Sequence, residues 1–333
     1  MEEETKKVGK ALCMYSGGLD SQLAICVLKE QGIEATALIF TSPFFGDSSQ
    51  AKKSAEALGV PVMLVDFTDD LVELIKAPKH GFGSCLNPCI DCHARMMTRA
   101  GEIMDEKGFD FVATGEVMGQ RPMSQQKHAL IEVQKTSGIG DRVLRPLSAK
   151  FLEPTAPERD GIVDRERLLA LEGRNRKPQI ELAKKYGIKD YPSPAGGCKL
   201  TEPQYSSRLR NLMNNEGLDD KRLIRLLNHG RVFRLPGGTL VFAGRNKSDN
   251  EAIRTGLRGP DILFRSFTVV GPSVLVVAPK TEEDIVLAQQ ICASYADHKG
   301  AAEVGVRCFK PARKPEDLKI AVVDRELLIP YMI

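Results

Sequence analysis

Ser16-Gly17-Gly18-Leu19-Asp20-Ser21 stands between two runs of opposite texture, and its placement decides how the first half of the chain is read. Ahead of it, Ala11–Tyr15 is an apolar run of buried-strand length. Behind it, from Ser21, the residues Leu23, Ala24, Val27 and Leu28 fall on one helical face until Gly32. Two glycines between a strand and a helix let the backbone approach an anion closely. Ser16 and Ser21 add hydroxyl donors, and the helix presents its positive end. The GxxxxGK[ST] pattern of a Walker loop is absent. The alternative is an ordinary strand–helix turn capped by Asp20.

Working outward, Ala35–Phe40, Val60–Asp66 and Phe111–Thr114 read as further strands, with a helix around Ala51–Leu58. Strands alternating with helices indicate an α/β fold on a parallel sheet, whose ligands sit at the carboxyl ends of the strands. Leu168–Gly187 has a helical pattern, and Leu209–Asn228 is helical, basic and closed by Gly230. Then the texture changes. Arg231–Arg234, Thr239–Ala243, Ile262–Val270 and Val274–Val277 are short strand-like runs separated by Pro-Gly-Gly, Arg-Gly-Pro and Gly-Pro turn signals. Glu282–Tyr295 reads as one amphipathic helix. Three parts are expected: an α/β domain over 1–141, a basic helical middle segment over 142–224, and a small α+β domain over 225–333.

The chain has 333 residues, enough for two or three domains at roughly 100–200 residues each. With 42% hydrophobic residues it is too apolar for wholesale disorder, and no apolar run approaches the ~20 residues that span a bilayer. The charged start MEEETKKVGK lacks the apolar stretch of a signal peptide, so a cytoplasmic protein is expected. A net charge of +3 conceals an uneven distribution: −6 over 1–141, +8 over 142–234 and +1 over 235–333. The basic middle suits a phosphate backbone as well as it suits a solvated helical face.

Eight cysteines are too sparse for a disulfide scaffold in a chain of this length. Cys13, Cys26, Cys292 and Cys308 lie in apolar surroundings and read as core. Cys85, Cys89 and Cys92 are crowded together in Cys85-Leu86-Asn87-Pro88-Cys89-Ile90-Asp91-Cys92-His93. Cys198 ends Ser193-Pro194-Ala195-Gly196-Gly197-Cys198, where glycines let a loop fold close to another element. A single CxxC is shared by zinc, redox and iron–sulfur sites. A structural zinc on Cys85, Cys89, Cys92 and His93 is one reading; under the others Cys85 is unassigned and His93 is a polar flank.

The hexapeptide at Ser16–Ser21 resembles the SGGxDS signature of the PP-loop ATP pyrophosphatase superfamily. That resemblance implies ATP cleaved between its α- and β-phosphates, with Asp20 holding Mg²⁺ and with Ser16, Gly17, Gly18 and Ser21 around the phosphates. The ordered set SGGLDS, NPCIDC, Ala113-Thr114-Gly115-Glu116, KPQIELAKKYGI and SPAGGC further resembles the tRNA 2-thiouridylases. Cys92 then matches their first catalytic cysteine and Cys198 the second, while Phe40, Thr41 and Gly115 border the nucleotide. Two positions depart from that family: Cys89 stands where it has an aspartate, and Glu116 replaces the histidine of ATGH. The extra thiol makes Cys89, Cys92 and Cys198 similar to the CxxC-plus-distant-cysteine set of iron–sulfur-dependent tRNA thiolases. Such a set implies three irons of a [4Fe–4S] cluster held by protein, the fourth open to a sulfide. A persulfide on Cys198 resolved by Cys92 is the competing route.

The string Gly244-Arg245-Asn246-Lys247-Ser248-Asp249-Asn250, with Gly259-Pro260-Asp261 and Gly271-Pro272-Ser273, resembles the NFACT-R RNA-binding domain. Arg245, Asn246 and Asn250 are its candidate RNA contacts, joined by Lys150, Arg174, Arg176 and Lys177 of the basic segment. Arg121 is a candidate for pyrophosphate or RNA phosphate. Together these resemblances imply ATP-dependent thiolation of a tRNA uridine, with tRNA and a sulfur donor (sulfide or a carrier protein) as partners and no membrane. Amidation of a small molecule by a PP-loop enzyme, or RNA binding without catalysis, are the other readings.

Overall fold

The computed structural model describes residues 8–45, 48–121, 124–193 and 198–333. Two compact units meet in sequence at Thr201 and Glu202. In the first, β1 (Lys10–Met14), α1 (Leu19–Lys29), β2 (Glu34–Thr41), α2 (Ser49–Ala57), β3 (Val62–Asp66), α3 (Thr68–Lys76), α4 (Cys89–Lys107) and β4 (Phe111–Thr114) follow one another. Then come α5 (Lys127–Ser137), β5 (Val143–Leu144), α6 (Ala156–Arg159) and α7 (Lys177–Lys185). The sheet has the order β3-β2-β1-β4-β5, and every pairing is parallel.

Alternation along β1 sends its side chains into two different cores. Ala11 and Cys13 pack with Leu23, Ala24, Val27 and Leu28 of α1, as the helical stripe predicted. Leu12 packs with Ala94, Met97, Ala100 and Met104 of α4 on the other side of the sheet. Burying each such aliphatic side chain contributes about 1.5–3 kcal/mol. Residues 142–201 belong to this unit. β5 continues the sheet, and Leu147, Ala149, Val163, Leu168 and Ala183 enter the α1-side core.

The helix expected over Leu168–Gly187 is confined to Lys177–Lys185. Leu169 N and Leu171 N instead donate to Pro146 O and Leu147 O, at 2.9 and 2.8 Å, so this apolar stretch is extended and its amides are satisfied across the chain. Leu209–Asn228 is likewise two helices, α8 (Pro203–Asn215) and α9 (Lys221–Leu226). They are separated by Gly217, and Asp220 accepts from Arg222 N to cap the second.

The second unit continues with β6 (Arg231–Arg234), β7 (Leu240–Ala243), α10 (Lys247–Thr255), β8 (Ile262–Ser266), β9 (Ser273–Val277), α11 (Glu282–Ser294), β10 (Glu303–Phe309) and β11 (Glu316–Ala321). Its sheet is antiparallel throughout, in the order β11-β10-β8-β9-β7-β6. Ala288, Ile291 and Cys292 of α11 pack on Phe264, Val274, Val276, Val304 and Val306. α10 lies against β7 and β9. No helix among the described residues is long and apolar enough to cross a membrane.

Candidate active site

The strand order reverses its sequence between β1 and β4, and that is where open parallel sheets take their ligands. Ser16–Ser21 leaves the carboxyl end of β1 there, and Gly115 and Glu116 leave that of β4. Gly17 has φ +76°, and a Cβ on it would stand 2.7 Å from Ala51 Cα. Gly115 is pressed against the start of α1, where a Cβ would lie 2.6 Å from both N and Cα of Ser21. Ser21 Oγ donates to Gly18 O at 2.8 Å, Gly18 N donates to Ser16 Oγ at 3.4 Å, and Gln22 Nε2 bridges Gly17 O and Asp190 O. No side chain caps α1, so its first-turn amides are not consumed by one.

This loop lines a cavity of ≈ 740 Å³ together with Phe40, His93, Glu116, Arg121, Arg174, Arg176 and Cys198. That volume lies within the ~300–1,000 Å³ of small-molecule sites. Thr41 lies outside it, its hydroxyl donating to Val65 O at 3.3 Å. Of the basic residues expected to contact RNA, Arg174 and Arg176 line the cavity. Lys150 instead donates to Glu166 O at 3.0 Å, and Lys177 is exposed at the start of α7.

Asp20 Oδ2 accepts from Gln120 Nε2 at 2.7 Å, and Gln120 Oε1 accepts from the buried Gln179 of α7 at 2.9 Å. Asp20 Oδ1 is buried and has no hydrogen-bond partner among the described residues. Burial raises the Asp20 carboxyl pKa, while the Gln120 amide and the charges of Arg176 and Arg121 pull it down. An orphaned carboxylate oxygen beside an arginine-rich cavity fits a hard cation such as Mg²⁺.

Cys89 opens α4 and Cys92 follows a turn later, buried. Cys198 stands on the cavity wall, its Sγ donating to Phe44 O at 3.5 Å. Pro194–Gly197, the glycine-containing approach to it, lies outside the described residues. Burial pushes the Cys92 thiol well up, and Cys198 and Cys89 add to the rise. Among the described residues no group of three His, Cys, Asp or Glu side chains is drawn together as ligands of a single metal ion, so the zinc set on Cys85, Cys89, Cys92 and His93 is not assembled. Thiolates are the donors that iron–sulfur clusters take, and Cys89, Cys92 and Cys198 are the thiols of this unit nearest that chemistry by type.

His93, expected to be a polar flank, is instead central. Its Nδ1 lies 3.4 Å from Glu116 Oε1, and its ring hydrogen-bonds the Cys89 thiol. Burial alone would lower the imidazole pKa, but bonds to Cys89 and Glu116 raise it to about 10. Glu116 in turn would be raised by burial, but Arg145 Nε, 3.0 Å from Oε2, and His93 hold it at about 2. For Cys89 burial again works upward, and the His93 hydrogen bond and charge outweigh it, so the thiol is lowered. A bonded line Arg145–Glu116–His93–Cys89 therefore runs beside the cavity, which Glu116 and His93 line. Glu116 stood out in the sequence as a departure from ATGH; Arg145, inside the apolar run Val143-Leu144-Arg145-Pro146-Leu147, carried the only sign of its partner.

In the second unit the GRNKSDN string has internal work. Asn246 accepts from Asp249 N at 2.9 Å as the N-cap of α10. Asn250 Oδ1 accepts from Ser273 N at 2.7 Å and its amide donates to Gly271 O, pinning the turn before β9. Arg245, half exposed, pairs with Asp249 at 3.4 Å.

Residues 9–137 match the family model of the tRNA methyl transferase HUP domain, and residues 230–332 that of the NFACT protein RNA binding domain. The tRNA-specific 2-thiouridylase MnmA of Deinococcus radiodurans is 29% identical over 125 residues, 32% of this chain and 32% of its own length. The tRNA sulfurtransferase of Desulfurococcus amylolyticus is 24% identical over 284 residues, 83% of this chain and 50% of its own. The chain thus spans about a third to a half of the length of these curated relatives. The solved structure of the U34-tRNA thiolase NcsA from Methanococcus maripaludis with its [4Fe–4S] cluster overlaps 66% of this chain and 73% of that one. The identity is 20% and the TM-score 0.33. The first unit is an α/β domain with a PP-loop-like parallel sheet that resembles tRNA 2-thiouridylases, and most of the second matches the NFACT RNA binding domain model.

Proposed function

We propose that this chain, which joins a PP-loop domain to an NFACT-type RNA-binding domain, is an ATP-dependent tRNA thiolase. One observation carries the reading: Cys198 and the Ser16–Ser21 loop line the same cavity although they are far apart in sequence. Sulfur and nucleotide chemistry would share one pocket.

ATP would lie with its phosphates on the loop amides and its Mg²⁺ on Asp20. Arg121, Arg174 and Arg176 would neutralise the pyrophosphate as it forms. The uridine carbonyl oxygen attacks the α-phosphorus, the bond to the β-phosphate breaks, and pyrophosphate leaves. A sulfur nucleophile then attacks the activated carbon and AMP departs with the former carbonyl oxygen. Cys89, Cys92 and Cys198 would hold a [4Fe–4S] cluster, which supplies an open iron site for an exogenous sulfide. His93, fixed by Glu116 and Arg145, orients and desolvates the Cys89 side of that centre. A paired uridine must leave its stack first, at a cost of a few kcal/mol, so the RNA-binding domain would grip the tRNA body.

The test is pyrophosphate exchange with and without tRNA, combined with mass spectrometry of tRNA nucleosides from cells with and without the gene. A sulfur-containing nucleoside lost with the gene, and exchange dependent on tRNA, are expected. Exchange that ignores tRNA, with unchanged nucleosides, would sink the proposal in favour of small-molecule chemistry. Anaerobic reconstitution addresses the cluster. Bound iron lost in Cys89→Ala supports it, whereas an iron-free protein with full thiolation in Cys89→Ala leaves the persulfide route.

A further inference from the structure

With Asn246 and Asn250 committed to helix capping and loop pinning, the RNA-contacting surface of the second unit must be sought elsewhere. One face of its sheet stands out. Along β8, β10 and β11, the residues not turned toward α11 are Leu263 and Arg265; Glu303, Gly305, Arg307 and Phe309; and Asp317, Lys319 and Ala321. Arg265 is directly opposite Arg307 in the β8–β10 ladder. Like charges facing one another across a strand pair are destabilising, and β8 is an interior strand, so this pair is not the charge that protects a sheet edge.

Each arginine lies over an aromatic ring: Arg265 is 5.9 Å from the Phe309 centroid and Arg307 5.0 Å from that of Phe267. Asp317 takes Arg307 in a two-pronged grip at 2.6 and 2.9 Å, fixing its guanidinium. Phe267 just beyond β8 is 47% exposed and reaches over Gly305, where a Cβ would meet its Cζ at 2.8 Å. Glycine at 305 is what allows an aromatic ring to lie across the strand. The β10–β11 turn then adds Lys310, Arg313 and Lys314. Six cations, counting Arg265, Arg307 and Lys319, surround this face, against the acids Glu303, Glu316 and Asp317.

We propose that the face of β8, β10 and β11 away from α11, open at Arg265, Phe267, Lys319 and the β10–β11 turn, binds unpaired RNA nucleotides, with a base stacked on Phe267 and phosphates held by Arg265, Lys319 and that turn. Aromatic rings interleaved with cations on a sheet are how single-stranded nucleic acid is held without sequence preference. A rigid aromatic set between arginines suits a flat base better than a phosphate alone. The proposal concerns a surface separate from the cavity and rests on the thiolation reading only in taking the ligand to be RNA.

The experiment is fluorescence anisotropy of the full chain with a labelled single-stranded RNA of mixed sequence, titrated at several salt concentrations, with an RNA duplex as comparison. Phe267→Ala is expected to weaken single-strand binding about fivefold or more. Lys319→Gln is expected to weaken it with a salt slope shallower by about 0.7. Both positions are exposed, so melting curves should overlay the parent's, and ATP binding without RNA, followed by calorimetry and reporting the cavity alone, should not change. Parental affinity and salt slope in both variants would overturn the proposal and leave the face to a protein partner. Duplex bound as tightly as single strand, with equal loss in Phe267→Ala, would overturn the stacking mode. Failure of thiolation in cells, with these binding losses intact, would refute the proposed reaction and not this surface.

Discussion

Arg145 Nε lies 3.0 Å from Glu116 Oε2, with the two side chains only 3% and 9% exposed. Removing one partner of a buried pair costs far more than the pair contributes, because a bare charge is left behind. Arg145→Met should therefore lower unfolding stability by about 3–5 kcal/mol, read as an earlier urea midpoint. Adding Glu116→Gln to it should recover much of the loss. A single variant as stable as the parent would show that Glu116 is not a buried anion.

The same pair sets an acid limit. Glu116 titrates at about 2 in the fold against an ordinary value of 4.5. A depressed carboxylate adds stability that is complete above its unfolded pKa and is lost as pH falls toward the folded one. Stability should thus decline between about pH 4.5 and 2, more steeply than in Glu116→Gln. His93 has the opposite sign: raised from 6.5 to about 10, its contribution is complete below 6.5 and disappears as pH rises through 10. Urea midpoints across both windows check the two signs together.

Gln120 holds Asp20 Oδ2 and is itself held by Gln179. A partner that orients a metal-binding carboxylate commonly accounts for 10–100-fold in metal affinity or activity. Gln120→Leu should accordingly raise the Mg²⁺ concentration needed for half-maximal pyrophosphate exchange by about tenfold or more. An unchanged Mg²⁺ requirement would remove Asp20 from the metal site.

Gly115→Ala puts a methyl group 2.6 Å from the Ser21 backbone, which no rotamer can relieve. The end of β4 and the first turn of α1 must separate, at a cost of about 1–3 kcal/mol typical of overpacking. ATP binding, followed by calorimetry, should weaken in step. Full ATP affinity in this variant would mean that the loop does not carry the nucleotide.

The strands of the first sheet were legible because β1, β2 and β4 are short apolar runs bounded by polar or glycine residues. The α4 helix was not, although it carries two of the thiols. Its buried stripe is Ala94, Met97, Ala100, Gly101 and Met104, small or flexible residues set among charges, which give a weak periodic signal. β10 escaped for a related reason: Gly305 and Arg307 alternate with Val304, Val306 and Cys308 and break up the apolar texture. Within the site, the phosphate loop and the cysteines announced themselves by type and spacing. Gln179 and Arg145 did not, since a single polar residue reveals its role only when its partner, 59 or 29 positions away, is seen.

The compact first unit closes at Thr201, three residues past Cys198, so the phosphate loop and all three thiols are housed in one body, while the NFACT-type module lies wholly on the other side of that boundary. If the proposed thiolation holds, the RNA-contacting module could be exchanged in evolution without altering the pocket.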